Sequence, residues 1–121
     1  MQFALLIYES ACDFARRRGP EAAAYWSSWA AYSGALDDQV CLGACLQTPD
    51  TGVVFRRNGA MRRISDGPYS DSPEQLGGVI MLDMDSVEDA LSWAERCPAA
   101  RNGAVEVRPL QFISNSVETV I

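Results

Sequence analysis

Two segments of the chain have the length of β-strands and carry apolar side chains on both faces. In residues 2–8, Phe3, Leu5 and Ile7 form one face, and the residues between them are also largely apolar. Residues 78–84 show the same property. A strand that is apolar on both faces needs cover on both sides. The sheet built from these strands is therefore expected to lie between two layers.

The remaining pattern predicts two strand–helix–strand halves. Residues 9–19 are predicted as a loop, and Pro20 suits the first turn of a helix because its φ is already helical. Ser86 followed by Asp89 resembles a capping box at the start of a second helix, which Pro98 ends. The predicted elements are strand 2–8, helix 20–36, strand 40–47, hairpin strands 53–57 and 60–64, strand 78–84, helix 86–97 and strand 104–110.

Asn58-Gly59 joins the two hairpin strands. This dipeptide favours a two-residue turn in which both central residues have positive φ. Four arginines flank the turn, and they allow two interpretations, an anion site or a solvated hairpin tip. These arginines are Arg56, Arg57, Arg62 and Arg63.

The order of elements predicts an α+β sandwich of the ferredoxin-like kind. Two helices can cover only one face of its sheet, although the strands are apolar on both. A second copy of the same sheet is the economical cover, so we expect a homodimer with a cavity between or beside the sheets. Residues 1–110 are predicted to form the domain. The polar tail, residues 111–121, is a candidate contact with the partner subunit.

Charge and composition exclude several classes of function. The formal net charge is −6, all ten basic residues are arginine, and the chain has neither lysine nor histidine. A Schiff-base lysine and a histidine base are therefore absent, and proton transfer must use Asp, Glu, Tyr, Cys or water. An acidic chain without a basic face is not expected to bind nucleic acid. Without a signal peptide or an apolar run of ~20 residues, the protein is expected to be cytoplasmic, with no membrane partner.

The cysteines predict neither a disulfide framework nor a metal site. Their four positions are Cys12, Cys41, Cys45 and Cys97. Buried, reduced thiols are the favoured interpretation, with a nucleophilic cysteine as the alternative. The Cys41-x-x-x-Cys45 spacing does not match a zinc knuckle, and no glycine-rich phosphate loop is present. We therefore expect no metal and no organic cofactor.

An ordered set of motifs resembles the YCII-related (DGPF) domain proteins. The motifs are Asp66-Gly67-Pro68-Tyr69, then Glu74-Gln75-Leu76-Gly77-Gly78, then Leu82-Asp83-Met84-Asp85-Ser86, and they continue through Cys97-Pro98 and Val105-Glu106-Val107-Arg108-Pro109. The resemblance implies a dimeric ferredoxin-like α+β barrel. The family that the chain resembles includes proteins proposed as small-molecule enzymes, among them a lyase-type dehydrochlorinase. It also includes proteins in which the domain is fused to transcription regulators.

The resemblance transfers few catalytic residues. The broader group is credited with a His–Asp pair in its cleft, and this chain has no histidine. The family's acidic residue in the second strand falls at Ala44 here. The motif residue that transfers is Asp66, which allows two interpretations. Asp66 is either a residue of a tight turn with Gly67 and Pro68, or a general acid or base in the cavity.

In the second interpretation, Asp66 and Tyr8 are the catalytic candidates, with Tyr8 as a hydrogen-bond donor, and Tyr69 is a substrate-binding candidate. The other substrate-binding candidates are Cys45, Tyr25, Trp26 and Trp29. The helical spacing of these aromatic residues also fits a stripe that faces the core.

An aromatic cavity with few ionisable groups suits a flat, largely apolar metabolite. The predicted function is cofactor-independent proton abstraction, dehydration, isomerisation or cyclisation of such a small molecule. A non-catalytic binding or regulatory protein is one alternative, and a purely assembling protein is another.

Overall fold

The computed structural model describes residues 1–113. The strands are β1 (Gln2–Ser10), β2 (Val40–Cys45), β3 (Val53–Asn58), β4 (Met61–Asp66), β5 (Glu74–Asp83) and β6 (Ala104–Pro109), and the α-helices are α1 (Ala11–Arg16), α2 (Ala22–Leu36) and α3 (Val87–Arg96). Four strands form an antiparallel sheet in the order β2-β5-β1-β6. This order, with α2 and α3 as the crossover helices, is a ferredoxin-like arrangement, as predicted.

The core lies between one face of this sheet and the helices. Phe3, Leu5 and Ile7 of β1 are buried together with Leu36 of α2 and Ala94 of α3. Side chains alternate across a strand, so these β1 residues share one face. Both main helices therefore pack on the same side of the sheet.

The other face of the sheet, called the outer face below, is also apolar. Its residues follow from the pairing of β1, β2 and β5, and they are Ala4, Leu6, Tyr8, Leu42, Ala44, Val79 and Met81. Only Ala4 is buried, whereas Leu42 is 54% exposed. The prediction that two helices leave one apolar face partly open is confirmed for residues 1–113.

A β-bulge interrupts the pairing of β1 with β5. Ile7 pairs with Gly78 and Tyr8 pairs with Leu76, so Gly77 is the extra residue on β5. A bulge leaves its extra residue outside the regular ladder and bends the strand. The carbonyl of Gly77 is therefore available to partners outside β1.

The predicted loop at residues 9–19 is wrong for residues 9–16. β1 continues through Ser10, and α1 follows directly. The Ser10 hydroxyl accepts a hydrogen bond from the backbone N–H of Asp13 at 3.2 Å, which caps α1. The predicted cap of α3 is confirmed in the same way, because the Ser86 hydroxyl accepts from the Asp89 N–H at 3.2 Å.

The hairpin forms where predicted, but its turn is shifted by one residue. Asn58 pairs with Met61, so Gly59 and Ala60 are the central residues of the turn. Gly59 has a φ of +60°, whereas Ala60 does not have a positive φ. A turn with glycine at its first central position and a negative φ at the second satisfies the twist of the strands, as type II′ turns do. Strands β3 and β4 form a sheet of their own.

The division into a domain of residues 1–110 and a tail of residues 111–121 stays a prediction. Strand β6 ends at Pro109, and most of the predicted tail lies outside the described residues. No helix within residues 1–113 is long and apolar enough to cross a membrane.

Candidate active site

A cavity of about 310 Å³ lies between α2 and the sheet, near the ends of β1 and β2. Its walls are mostly apolar and aromatic. The lining residues are Ile7, Glu9, Arg17, Tyr25, Trp26, Trp29, Ser33, Gly43, Ala44, Cys45, Gly77, Gly78 and Ile80. A volume of this size fits the lower end of the range for small-molecule sites, about 300 to 1,000 Å³.

The carboxylate of Glu9 is the acidic group of this cavity. Glu9 continues the alternation of Phe3, Leu5 and Ile7 along β1, so its side chain lies on the core side of the sheet. The residue is only 2% exposed. A carboxylate buried to this extent requires a charged or hydrogen-bonding partner. Its partners come from α2 and from the segment that follows α1.

Arg17 is the ionic partner of Glu9. Its Nη2 donates to Glu9 Oε1 at 2.7 Å and to the Gly77 carbonyl at 3.2 Å, and its Nη1 donates to the Leu46 carbonyl. Burial lowers the pKa of Arg17, but hydrogen bonds to Glu9 and Tyr25 outweigh that effect and leave the pKa raised. The guanidinium therefore remains charged and holds the ends of β1, β2 and β5 together.

Tyr25 completes the network from α2. Its hydroxyl donates to Glu9 Oε2 at 2.6 Å and accepts from Arg17 Nε at 3.1 Å. Burial, followed by the hydrogen bond to Glu9, raises the pKa of Tyr25 to about 12. The phenol is therefore neutral at ordinary pH and acts as a hydrogen-bond donor to the carboxylate.

Gly77 leaves the space that this network occupies. A Cβ atom at position 77 would lie 2.5 Å from Glu9 Oε1, 3.1 Å from Arg17 Nη2 and 3.1 Å from Phe14 Cζ. A Cβ atom essentially never approaches another heavy atom as closely as the first of these distances. The absence of a side chain at the bulge is therefore a condition for the Glu9–Arg17 pair.

Aromatic rings of α2 form one wall of the cavity. Tyr25 and Trp26 meet edge to face with ring centroids 4.8 Å apart, and Trp29 meets Tyr32 in the same manner at 6.0 Å. Trp26 Nε1 also donates to the Arg17 carbonyl at 3.1 Å. These contacts fix the wall, because edge-to-face pairs and a hydrogen bond each restrict the rings. Such a wall is suited to a flat ligand.

Several predicted residues meet at this cavity. Tyr25, Trp26, Trp29 and Cys45 line it together. The alternative interpretation of the aromatic stripe also holds in part, since Tyr32 belongs to the hydrophobic core and Trp29 packs against it. The substrate-binding role of the four lining residues stays a prediction.

Asp66, Tyr69 and Tyr8 lie elsewhere. Asp66 ends β4, in the separate sheet of the hairpin, and is exposed, whereas Tyr69 follows the hairpin and is 75% exposed. Neither residue lines the cavity. Tyr8 alternates with Ile7 and Glu9, so its side chain lies on the outer face of the sheet. Catalysis by Asp66 and Tyr8 stays a prediction, and neither residue belongs to this cavity.

Glu9 and Arg17 were not predicted as site residues. Both fall in the segment predicted as a loop, where charged residues are ordinarily solvated. The signal for Glu9 was its place in the alternation that begins at Phe3. Arg17 carried no such signal, because it lies beyond the strand.

The expectation of four buried thiols is wrong for three of them. Cys97 is buried and reduced, whereas Cys12, Cys41 and Cys45 are exposed and reduced. Cys41 and Cys45 belong to β2, which is an edge strand of the sheet. No group of three potential ligands among His, Cys, Asp and Glu within residues 1–113 is placed to hold a metal ion.

The fold and cavity together define a ferredoxin-like α+β domain with a ligand-sized site between a helix and its sheet. The chain belongs to the family of the YCII-related domain, whose model matches residues 1–113. The resemblance found in the sequence motifs is thereby confirmed.

Two comparisons place the chain among known proteins. An uncharacterised protein from Rhizobium meliloti (strain 1021) is 37% identical over 65 residues, which cover 51% of this chain and 52% of that protein. The match thus spans about half the length of the curated relative. The structure of 5-chloro-2-hydroxyhydroquinone dehydrochlorinase (TftG) from Burkholderia phenoliruptrix AC1100, in complex with 2,5-dihydroxybenzoquinone, is similar with a TM-score of 0.58 and 15% identity, covering 92% of this chain and 94% of that one. At this identity the likeness concerns the fold.

Proposed function

We propose that this protein is a cofactor-independent enzyme that acts on a flat, largely apolar small molecule in the cavity beneath α2. The observation that carries the proposal is the buried carboxylate of Glu9 at a cavity walled by Trp26 and Trp29. The similar fold of TftG, solved with the flat ring of 2,5-dihydroxybenzoquinone, supports this substrate class.

Glu9 is the proposed proton acceptor. Each of its carboxylate oxygens accepts one hydrogen bond, from Arg17 or from Tyr25, and retains a further lone pair. A proton would pass from a C–H or O–H group of the substrate to Glu9, while the bonding electrons stay on the substrate. Glu9 would return the proton at another position or to a departing group. The first outcome is an isomerisation and the second is an elimination.

Arg17 and the aromatic wall have supporting roles in this proposal. The charged guanidinium favours negative charge that develops near Glu9 during proton transfer. Trp26 and Trp29 restrict the flat ring of the substrate to one plane within the cavity, which limits its orientations before reaction. Cys45, on the opposite wall, contacts the substrate edge.

The test compares the wild-type protein with Glu9→Gln, Asp66→Asn and the control Glu74→Gln, which removes a carboxylate outside the cavity. Each protein is incubated with a metabolite extract that is then analysed by untargeted mass spectrometry. We expect wild type and Glu74→Gln to consume one compound beyond stoichiometry, and Glu9→Gln to be slower by about 10²- to 10⁴-fold. Wild-type turnover by Glu9→Gln contradicts the role of Glu9. Loss of turnover in Asp66→Asn alone moves the chemistry to the hairpin.

A binding protein without catalysis is the second candidate. The observation that favours it is that the polar groups of Glu9, Arg17 and Tyr25 already satisfy one another. The same assay separates the two candidates. A compound retained in a one-to-one ratio by wild type, with no product formed, supports the binding protein.

We also propose that two copies stack through their outer faces. The apolar outer face is left partly exposed within residues 1–113, and soluble monomers rarely leave a contiguous apolar patch of that kind. Leu42→Glu is expected to shift the protein from dimer to monomer in sedimentation velocity runs. Leu91→Glu on α3 is the matched control, because Leu91 is 53% exposed and Leu42 is 54% exposed. A dimer that tolerates Leu42→Glu as well as Leu91→Glu contradicts this interface.

The tail of residues 111–121 is proposed to contact the partner subunit. Truncation after Leu110 is then expected to weaken the dimer in the same runs. An unchanged dimer after truncation removes the tail from the interface.

A further inference from the structure

The hairpin of residues 53–66, called the arm below, is exposed to an extent that a folded hairpin does not ordinarily tolerate. Ten of the twelve residues in β3 and β4 are exposed, and the other two are half-buried. Phe55 is 50% exposed, Ile64 61% and Met61 72%. An isolated two-stranded hairpin is marginal in water. The arm therefore needs a surface to pack against.

The arginines of the arm indicate that this surface carries negative charge. Arg56 pairs directly with Arg63, and Arg57 with Arg62. Like charges placed opposite each other destabilise a hairpin. The ion pairs formed within residues 1–113 include none of these four side chains. Carboxylates from outside the described part of the protomer would remove the repulsion.

Aromatic contacts keep two of the arginines on the apolar side of the arm. The guanidinium carbons of Arg57 and Arg62 lie 5.8 and 5.4 Å from the centroid of the Phe55 ring. The same side of the arm thus presents an aromatic ring, an aliphatic residue and two cations. This combination fits a surface with carboxylates around an aromatic or apolar floor.

The protein itself has such a surface at the other end of its sheet. A groove of about 280 Å³ is lined by Asp83, Asp85 and Asp89, with Trp93 and Met84 beside them. All three aspartates are exposed, and Asp83 Oδ1 also pairs with the N-terminal ammonium at 3.2 Å. The charges are complementary as well: the arm has four arginines and one aspartate, a formal +3, and the whole chain is −6, so the remaining residues carry −9.

We propose that the arm of one copy docks into the aspartate groove of a second copy. The arm joins β5 at its beginning, Glu74, and the groove lies at its end, Asp83. When two sheets stack around a twofold axis that lies in their interface perpendicular to the strands, the beginning of β5 in one copy lies near the end of β5 in the other. The arm of each copy is thereby brought to the end of the sheet that carries the groove of the other. Two identical contacts then close the assembly as a dimer. The proposal rests on the second copy proposed above, and it adds a polar contact that fixes the direction in which the sheets stack.

The test is a charge exchange between the arm and the groove. The arm variant changes its four arginines to glutamate, and the groove variant changes Asp83, Asp85 and Asp89 to arginine. The control variant reverses the side-chain charge at Arg18 and Arg101, which are exposed and lie outside the arm. The dimer dissociation constant is measured by sedimentation at low and high salt.

Either single variant is expected to weaken the dimer at least tenfold at low salt, and a variant carrying both sets of changes to recover most of this loss. The control is expected to change the constant less than threefold. A wild-type dimer unaffected by either set of changes overturns the arm contact while the sheet interface stands, and a combined variant no tighter than the single ones overturns it too. A wild-type monomer overturns both contacts, but the turnover assay still decides the proposed enzyme function. In a further outcome, the groove variant dimerises as wild type does, and a labelled 20-base DNA binds only when the arm arginines are present. That outcome assigns the arm to nucleic acid instead.

Discussion

Gly77→Ala is the substitution that most directly tests the Glu9–Arg17 network. The new Cβ would lie 2.5 Å from Glu9 Oε1, whereas ordinary contact begins at 3.4 Å. The carboxylate would have to retreat by about 0.9 Å, and Arg17 Nη2, at 3.1 Å, would be crowded as well. A retreat of that size takes the 2.7 Å bond between Glu9 and Arg17 beyond hydrogen-bond range unless both side chains move together.

The expected loss of stability in Gly77→Ala follows from the burial of the Glu9–Arg17 pair. Methyl groups forced into a packed region cost about 1–3 kcal/mol, and breaking a buried ion pair costs about 3–5 kcal/mol. Glu9 is only 2% exposed, so its charge has little access to water after displacement. We expect Gly77→Ala to lower the free energy of unfolding by about 2–4 kcal/mol, the range between adjusted and lost pairing.

The assay is urea unfolding followed by tryptophan fluorescence at neutral pH. Gly43→Ala is the matched control, because Gly43 lines the same cavity and a Cβ there would meet nothing within 4 Å. The control is expected to stay within about 0.5 kcal/mol of wild type. If Gly77→Ala is as stable as Gly43→Ala, the Glu9–Arg17 pair is not held as described.

Three further results are expected. The neutral phenol of Tyr25, with its pKa at about 12, contributes about 2–3 kcal/mol of stability that is fully present below pH 10 and is lost as the pH rises through 12. Urea unfolding from pH 9 to 12 should show this loss. A Tyr25→Phe variant whose stability falls with pH as steeply as that of wild type contradicts it. Burial raises the pKa of Cys97 to about 11, so native protein should show three fast thiols with a disulfide reagent and a fourth only on unfolding; four fast thiols refute this. Ser86→Ala should cost about 1 kcal/mol through loss of the Asp89 cap, with Ser92→Ala near neutral; equal thermal midpoints for the two variants contradict the cap.

Apolar alternation and helix signals were enough to predict the main elements of the fold. Apolar residues on both faces predict strands at 2–8 and 78–84; the first segment lies within β1, and the second lies within β5 up to Asp83. The boundary after residue 8 failed because Glu9 and Ser10 look like loop residues. The same Ser-x-x-Asp pattern that was recognised at Ser86 also begins at Ser10, where it caps α1.

The candidate site was predicted only where its residues belong to regular elements. Trp26 and Trp29 repeat at helical spacing, and Cys45 alternates along a strand, so all three could be placed near a pocket. Arg17 lies eight residues after Glu9, and its carbonyl partners at Leu46 and Gly77 lie 29 and 60 residues away, so no local pattern contains this set of contacts. Asp66 stood out because its turn motif is conspicuous, but the hairpin lies apart from the cavity.

The many bonds of one guanidinium have a consequence for how the cavity opens. Arg17 donates to Glu9 on β1, to the Gly77 carbonyl on β5 and to the Leu46 carbonyl just after β2, while its own carbonyl accepts from Trp26 on α2. None of these segments, on β1, β5 and α2 and just after β2, can move away from Arg17 without disturbing its bonds to the others. Local fluctuations at this rim are therefore cooperative, and the amide of Leu46, bonded to the Gly77 carbonyl, should exchange its hydrogen in step with amides of the neighbouring strand ends. A ligand that enters the cavity would slow that exchange for the whole rim at once.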